Sequence, residues 1–218
     1  SDDTAVPVLY TGTGTSLWLF GAQLEAGSFA TSYIPTVASQ VTRSADVATM
    51  TGTNFSSWYN QAEGTFVAAF DSANSITVFT SAIASANDGT NNNYVELYQY
   101  QALTAGSVYL GGVLQADIAR TTPAVVPNTV YKVALGFATN SVQYARDGSL
   151  GTEDTSAALP SVTVLNIGAR NGARFINGHI RSIAYYNTRL SNAQLQQLTA
   201  PPLVTTLSLD FINGVYDA

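Results

Sequence analysis

Through most of the chain, apolar side chains recur at every second position in short runs, and Gly, Asn, Asp or Pro interrupts each run. A period of two belongs to strands, whose successive side chains point to opposite faces. In YKVALGFATNSVQYARDG, Tyr131, Val133, Leu135 and Phe137 fall on one face, Thr139-Asn140 forms a turn, and Val142 and Tyr144 continue on the return strand. That is a hairpin with one buried face, and Asp147-Gly148 supplies the next turn because glycine accepts a positive φ. The pattern predicts strands near 17–24, 64–71, 75–84, 94–101, 107–115, 130–138, 141–147, 162–168, 178–187 and 205–211. Many short strands between turn signals make an all-β sandwich or barrel.

One segment follows helical spacing instead. In LSNAQLQQLTAPP, Ser191 is a good N-cap and Gln194 completes a capping box. Leu190 and Leu195 fit a hydrophobic staple, Leu195 and Leu198 face one side, and Pro201-Pro202 ends the helix. A short helix resting on the sandwich is expected.

The stretch NNNYVELYQYQ carries the most unusual alternation. Val95 and Leu97 suit a core, while Tyr94, Glu96, Tyr98 and Tyr100 share the opposite face behind Asn91, Asn92 and Asn93. A tyrosine row of this kind is a binding platform, a second core or an interface. Tyrosine favours strands for packing alone, and a carboxylate in the row argues against a dry core.

Composition narrows the partners. The chain has 218 residues, a net charge of −6 and only 10% charged residues, with Lys132 as its single lysine. Nucleic acid and anionic lipid reward clustered positive charge, so no nucleic-acid partner is expected and a neutral one fits better. No apolar run approaches the roughly 20 residues that span a bilayer, so no membrane insertion is expected. The absence of cysteine and the single histidine, His179, remove thiolate and imidazole metal centres. His179 lies beside Arg181 in an apparent strand, where an exposed or hydrogen-bonded histidine is the ordinary reading.

Two stretches resemble known families. Ile167-Gly168, Gly178-His179-Ile180, Tyr186-Asn187 and Leu190-Ser191, taken in order with the hairpin that ends at Arg146-Asp147-Gly148, resemble the closing part of laminin G-like, concanavalin A-like jelly-roll domains. The segment LWLFGAQLEAGSFATSYIPT, then VTRSAD, is similar to a connector in bacteriophage tail-fibre and tail-associated proteins, and LSLDF at 207–211 is similar to the opening of a further module there. The resemblance implies a two-sheet jelly roll with one short helix near the C-terminus. It also implies an organisation of strand and connector over 1–36, a laminin G-like domain over 37–200, and a C-terminal strand over 201–218 that closes the sandwich or opens another module. The chain is expected to be a piece of a longer protein. Virion tail or extracellular surroundings follow from the same resemblance.

Members of such families bind sugars, bind proteins or hydrolyse glycans, so the residues must decide. Hydrolysis needs two flanking carboxyl groups, and the laminarinase-type jelly rolls alternate them as E-x-D-x-E. No such motif occurs: the glutamates are Glu25, Glu63, Glu96 and Glu153, and Glu96 has no carboxylate at positions 94 or 98. Two distant carboxylates that converge in space would keep a glycosidase or lyase as an alternative.

Sugar binding stacks an aromatic ring on a pyranose face while amides and carboxylates take the hydroxyls. Tyr94, Glu96, Tyr98, Tyr100, Asn91 and Asn93 supply both parts, as do Trp58 and Tyr59 beside Asn60 and Gln61. Packing at the sandwich edge is the competing account of Trp58, and a polar turn that of the asparagines. Arg170 and Arg174 bracket Asn171-Gly172 and offer planar donors to acidic sugars, although a solvated turn is the simpler explanation. Calcium is compatible with the resembled family, but the Asp and Asn clusters lack ligand spacing, so no cofactor is expected. The expectation is a non-catalytic carbohydrate-binding or host-surface-recognition module that takes a glycan or polysaccharide. A structural or oligomerisation module of a tail fibre, homo-oligomeric in the full protein, is the alternative.

Overall fold

The computed structural model describes residues 22–24, 33–36, 38–41, 48–73, 80–120 and 123–201. The chain divides into two compact units, Ser1–Ala45 and Asp46–Ala218. In the first, Ile34 N donates to the side-chain carbonyl of Gln23 at 2.7 Å.

The second unit is a two-layer sandwich of antiparallel strands. Its elements are β1 Ala48–Thr51, α1 Thr53–Ser56, β2 Glu63–Ser72, β3 Ser81–Asn87, β4 Tyr94–Tyr100, β5 Leu103–Leu110 and β6 Val113–Arg120. They continue as β7 Tyr131–Ala138, β8 Ser141–Arg146, β9 Ser149–Leu150, β10 Val164–Ile167, β11 Gly178–Tyr186 and α2 Asn192–Thr199. One sheet runs β1-β10-β3-β4-β5-β6, and the other runs β11-β2-β7-β8-β9.

The core is the interface between these sheets. The predicted hairpin is β7–β8, and Val133, Leu135, Phe137, Val142 and Tyr144 all pack in the core with Phe66 and Phe70 of β2. Val95, Leu97, Val108, Ile118 and Leu165 meet them from the six-stranded sheet. Gly106 on β5 marks a close approach of the two sheets, since a Cβ there would overlap the Leu135 side chain.

Outside the five-stranded sheet, Ala134 and Ala145 leave room for α2, whose Leu195 is fully buried against them with Leu190 packed alongside. Burying that leucine is worth about 2 kcal/mol. The capping box forms as the sequence predicts: Gln194 N donates to Ser191 Oγ at 3.3 Å, and Ser191 N donates to Gln194 Oε1 at 2.9 Å.

Three sequence expectations change. The strand placed at 107–115 is the hairpin β5–β6, turning at Gly111-Gly112, whose φ values of 59° and 79° suit glycine. The strand placed at 75–84 is β3, displaced towards 87; residues 74–79 lie outside the described residues. β1 and the short β9 were not foreseen. The strand expected at 205–211 lies outside the described residues, as does most of the one at 17–24, whose residues 22–24 are not in a strand.

Candidate functional site

The tyrosine stretch forms β4, with Val95 and Leu97 in the core, so its even-numbered residues face outward from the six-stranded sheet. The register then decides which side chains join them. Thr49, Asn166, Ser85, Glu96, Ser107 and Asp117 are successive cross-strand partners, one from each strand. Beside this polar row runs a second one, in which Asn87, Tyr94, Tyr109 and Leu114 are likewise paired. Cross-strand partners on one face have touching side chains, so these rows are continuous surfaces.

The polar row is wired together. Asn87 Nδ2 donates to Asn166 Oδ1 at 2.7 Å, Asn166 Nδ2 donates to Thr49 Oγ1 at 3.0 Å, and the Tyr98 hydroxyl donates to Asp117 at 2.7 Å. Burial, with that hydrogen bond to Asp117 second, holds the Tyr98 hydroxyl protonated well above the ordinary tyrosine range.

Part of the face is covered. The loop between β10 and β11 folds back over β3 and β4 and sets Arg170 on Glu96, with Nη1 2.7 Å from Oε2. The same guanidinium lies over the Tyr94 ring at 4.1 Å from its centroid, and the opposite partner of that ring is Tyr109, stacked at 4.6 Å. Tyr94, Glu96 and Arg170 are 6%, 1% and 4% exposed. Burial raises the Glu96 carboxyl to about 7 against the opposing pull of the Arg170 and Arg174 charges. Its Oε1 has no hydrogen-bond partner, and neither has Arg170 Nε.

The predicted site residues therefore separate. Tyr94 and Glu96 lie on the expected face, but Arg170 rather than solvent covers them, so Tyr94 is not an open platform. Tyr98 is half-buried and Tyr100 is 37% exposed, which leaves the rings towards β5 and β6 as the open part. Asn93 is committed to its own loop: its amide donates to Asp88 at 2.8 Å and accepts from Gly111 N at 2.7 Å. Hydrogen bonds from Thr90 and Asn93 hold Asp88 below the usual carboxylate range in spite of its desolvation. Asn91 is exposed and meets Asn171 Nδ2 at 3.4 Å. Arg170 is not on a solvated turn, whereas Arg174 is exposed with its charge near Glu96.

Trp58 and Tyr59 belong elsewhere. Tyr59 is 8% exposed and stacks on Phe55 at 4.6 Å, while Trp58 packs edge-on to Tyr185 at 5.0 Å and donates Nε1–H to Asn54 O. They close one end of the core, next to a cavity of about 610 Å³ lined by Met50, Trp58, Leu165, Ile167, Ile183 and Tyr186 among others. That cavity has a mixed lining that also includes Ser57 and Asn187, and it is separate from the tyrosine face, so its volume says nothing of the polar row.

Sequence reasoning missed Asn166, Ser85, Ser107, Tyr109 and Asp117. Tyr109 and Asp117 were hidden by reading 107–115 as one strand; the serines and Asn166 carry no local signal. His179 has the hydrogen-bonded strand position expected of it, with Nδ1 2.9 Å from buried Asp71, which also takes Arg181 Nη2 at 2.7 Å. Among the described residues, no group of three or more His, Cys, Asp and Glu could hold a metal ion, and no helix is long and apolar enough to cross a membrane.

With this geometry in view, likeness to solved structures defines the class of fold. No family model matches the chain, and no curated protein matches it. The CBM40 of Ruminococcus gnavus IT-sialidase, solved bound to α2,3-sialyllactose, superposes with a TM-score of 0.55 at 19% identity, over 65% of this chain and 84% of its own. The K499G mutant of NanB sialidase from Streptococcus pneumoniae gives 0.57 at 14% identity, over 71% of this chain and 26% of its own. A SAP-like pentraxin from Limulus polyphemus gives 0.50 at 11% identity, over 63% of this chain and 70% of its own. The fold is a concanavalin A-like jelly-roll β-sandwich.

Proposed function

We propose that this chain is a non-catalytic carbohydrate-binding module and that the outer face of the six-stranded sheet is its binding surface. The observation that carries the reading is the polar row from Thr49 to Asp117, flanked by Tyr94, Tyr98 and Tyr109. Tyrosine rings match the apolar faces of a pyranose, and the neighbouring carboxylates and hydroxyls match its hydroxyls. That a jelly-roll neighbour was solved with sialyllactose supports the same reading. The connector resembling phage tail proteins supports placing the module in a tail fibre or similar extracellular protein, where several copies would strengthen weak individual contacts. A glycan array probed with the wild type, Tyr98→Ala and Asp117→Ala is the test. Binding that both substitutions abolish supports the reading; glycan binding that neither weakens removes it from this face.

One observation favours a catalytic second reading. Glu96 has a raised proton affinity, and Asp117 lies two strands away in the same row, about 10 Å at ~4.8 Å per strand spacing. That is near the separation used by inverting glycosidases, roughly 6.5–9.5 Å. Against it, Glu96 is sealed beneath Arg170. Release of reducing ends from any array glycan would favour hydrolysis, and none across the panel would end that reading.

A further inference from the structure

Arg170 makes with the sheet the contacts a sugar ring would make. Its planar group lies on the Tyr94 ring, and its N–H donates to the Glu96 carboxylate. The fit is incomplete, because Glu96 Oε1 and Arg170 Nε both lack partners although both side chains are more than nine-tenths buried. Buried orphans of this kind cost more than a hydrogen bond returns, and a vicinal diol could donate to both carboxylate oxygens.

The element that carries Arg170 is a small hairpin of its own. Arg170 and Ala173 exchange backbone hydrogen bonds of 2.8 and 2.9 Å around Asn171-Gly172, both left-handed with φ of 48° and 67°. The hydrophobic core takes Ile167 and Ile176, and between them the small Ala169 adds one buried apolar side chain. Besides the ion pair, the loop is tied down by Gly168 N to Ile83 O, Ala82 N to Arg174 O, and Asn171 Nδ2 to Thr90 O, at 2.9, 2.8 and 2.6 Å. Its apolar contacts are therefore few, and segments held mainly by polar contacts open most readily.

We propose that the loop from Gly168 to Ile176 is a lid on the tyrosine face, and that a neutral polyhydroxylated ring binds by displacing Arg170, stacking on Tyr94 and donating hydroxyls to Glu96. The ligand half of the proposal rests on the carbohydrate reading above; the lid half does not. The charged and titratable groups facing Glu96 are Arg170 and Arg174 from the lid, Tyr94 and Tyr98 from its own strand, Tyr109 from β5 and Asp117 from β6.

The sign of the coupling follows. The closed state holds the Glu96 proton up to about pH 7, whereas water or sugar hydroxyls in the open state return the carboxyl towards 4.5. Closed protein binds the proton more tightly, so opening rises by up to about tenfold per pH unit between ~5 and ~7 and levels off above that.

Hydrogen exchange on the ligand-free protein reads this directly at the amides of Gly168 and Ala82, whose hydrogen bonds join the loop to β3. After correction for intrinsic rates, their protection is expected to fall from pH 5 to 7 in the wild type and to stay level in Glu96→Gln. Asn171→Gly keeps the left-handed turn but removes the tether to Thr90, so it should lower lid protection and leave Leu97 unchanged. Wild-type lid amides as protected as Leu97, with no pH dependence, overturn the lid. The sugar arm uses lactose, α2,3-sialyllactose and every glycan retained on the array: affinity should rise from pH 5 to 7 and lose that dependence in Glu96→Gln. A lid that opens as described while no sugar binds overturns the ligand half and the carbohydrate reading together. Sugar binding with a protected lid and flat pH dependence overturns the lid and the displacement of Arg170, and leaves the carbohydrate reading standing.

Discussion

Replacing Glu96 by glutamine should change the pH dependence of stability more than its absolute value. In the folded protein the Glu96 carboxyl titrates at about 7 rather than its ordinary 4.5, because the side chain is 1% exposed and its charge has one cationic contact. A folded-state value above the unfolded one means that the native state binds the proton more tightly. The ionised form is therefore disfavoured by folding: the penalty is absent below about pH 4.5, grows through the interval, and is complete above about 7. A difference of about 2.5 pH units corresponds to about 3 kcal/mol. Urea unfolding of the wild type and Glu96→Gln from pH 5 to 8 measures it. The variant should gain about 2.5 kcal/mol on the wild type between the two ends of that range, the rest of the effect falling below pH 5. A stability difference that is flat with pH, or that moves in favour of the wild type as pH rises, would show that Arg170 more than offsets the desolvation and refute the argument.

Other outcomes follow from the same contacts. Arg170→Ala uncovers Glu96 to water, so its carboxyl should return towards the ordinary range and most of the change in stability between pH 5 and 8 should disappear; urea unfolding at the two pH values checks it. Gly106→Ala pushes a methyl group into Leu135 and should cost about 1–3 kcal/mol in the same assay. Ser191→Ala removes the cap of α2 and should cost about 1 kcal/mol by thermal unfolding, with no effect on the exchange of the Arg170 amide.

How much of this was legible in the sequence depends on how local the determining contact is. The α2 capping box spans three residues, and the β7–β8 hairpin announces itself through alternation and its turn, so both were readable. Alternation also placed Tyr94, Glu96, Tyr98 and Tyr100 on one face correctly. What alternation cannot show is the cover. Arg170 returns to Glu96 from 74 residues away, and nothing in ARNGAR distinguishes a solvated turn from one laid across a sheet. β3 was misplaced for a different reason: in SAIASAN the core side is mostly alanine and a bulge between Ala82 and Ala84 breaks the alternation. The polar row depended on both, since Asn166, Ser85 and Ser107 become neighbours only through the strand order.

The face itself is tested most directly by residue-resolved NMR shifts while an array-selected glycan is added at pH 7.5. The account predicts saturable changes at Tyr98, Ser107, Tyr109 and Asp117, together with Gly168 to Ile176, and little change around Trp58 and Tyr186. Changes confined to the Trp58 and Tyr186 end of the sandwich, or no saturable change with any retained glycan, would contradict it.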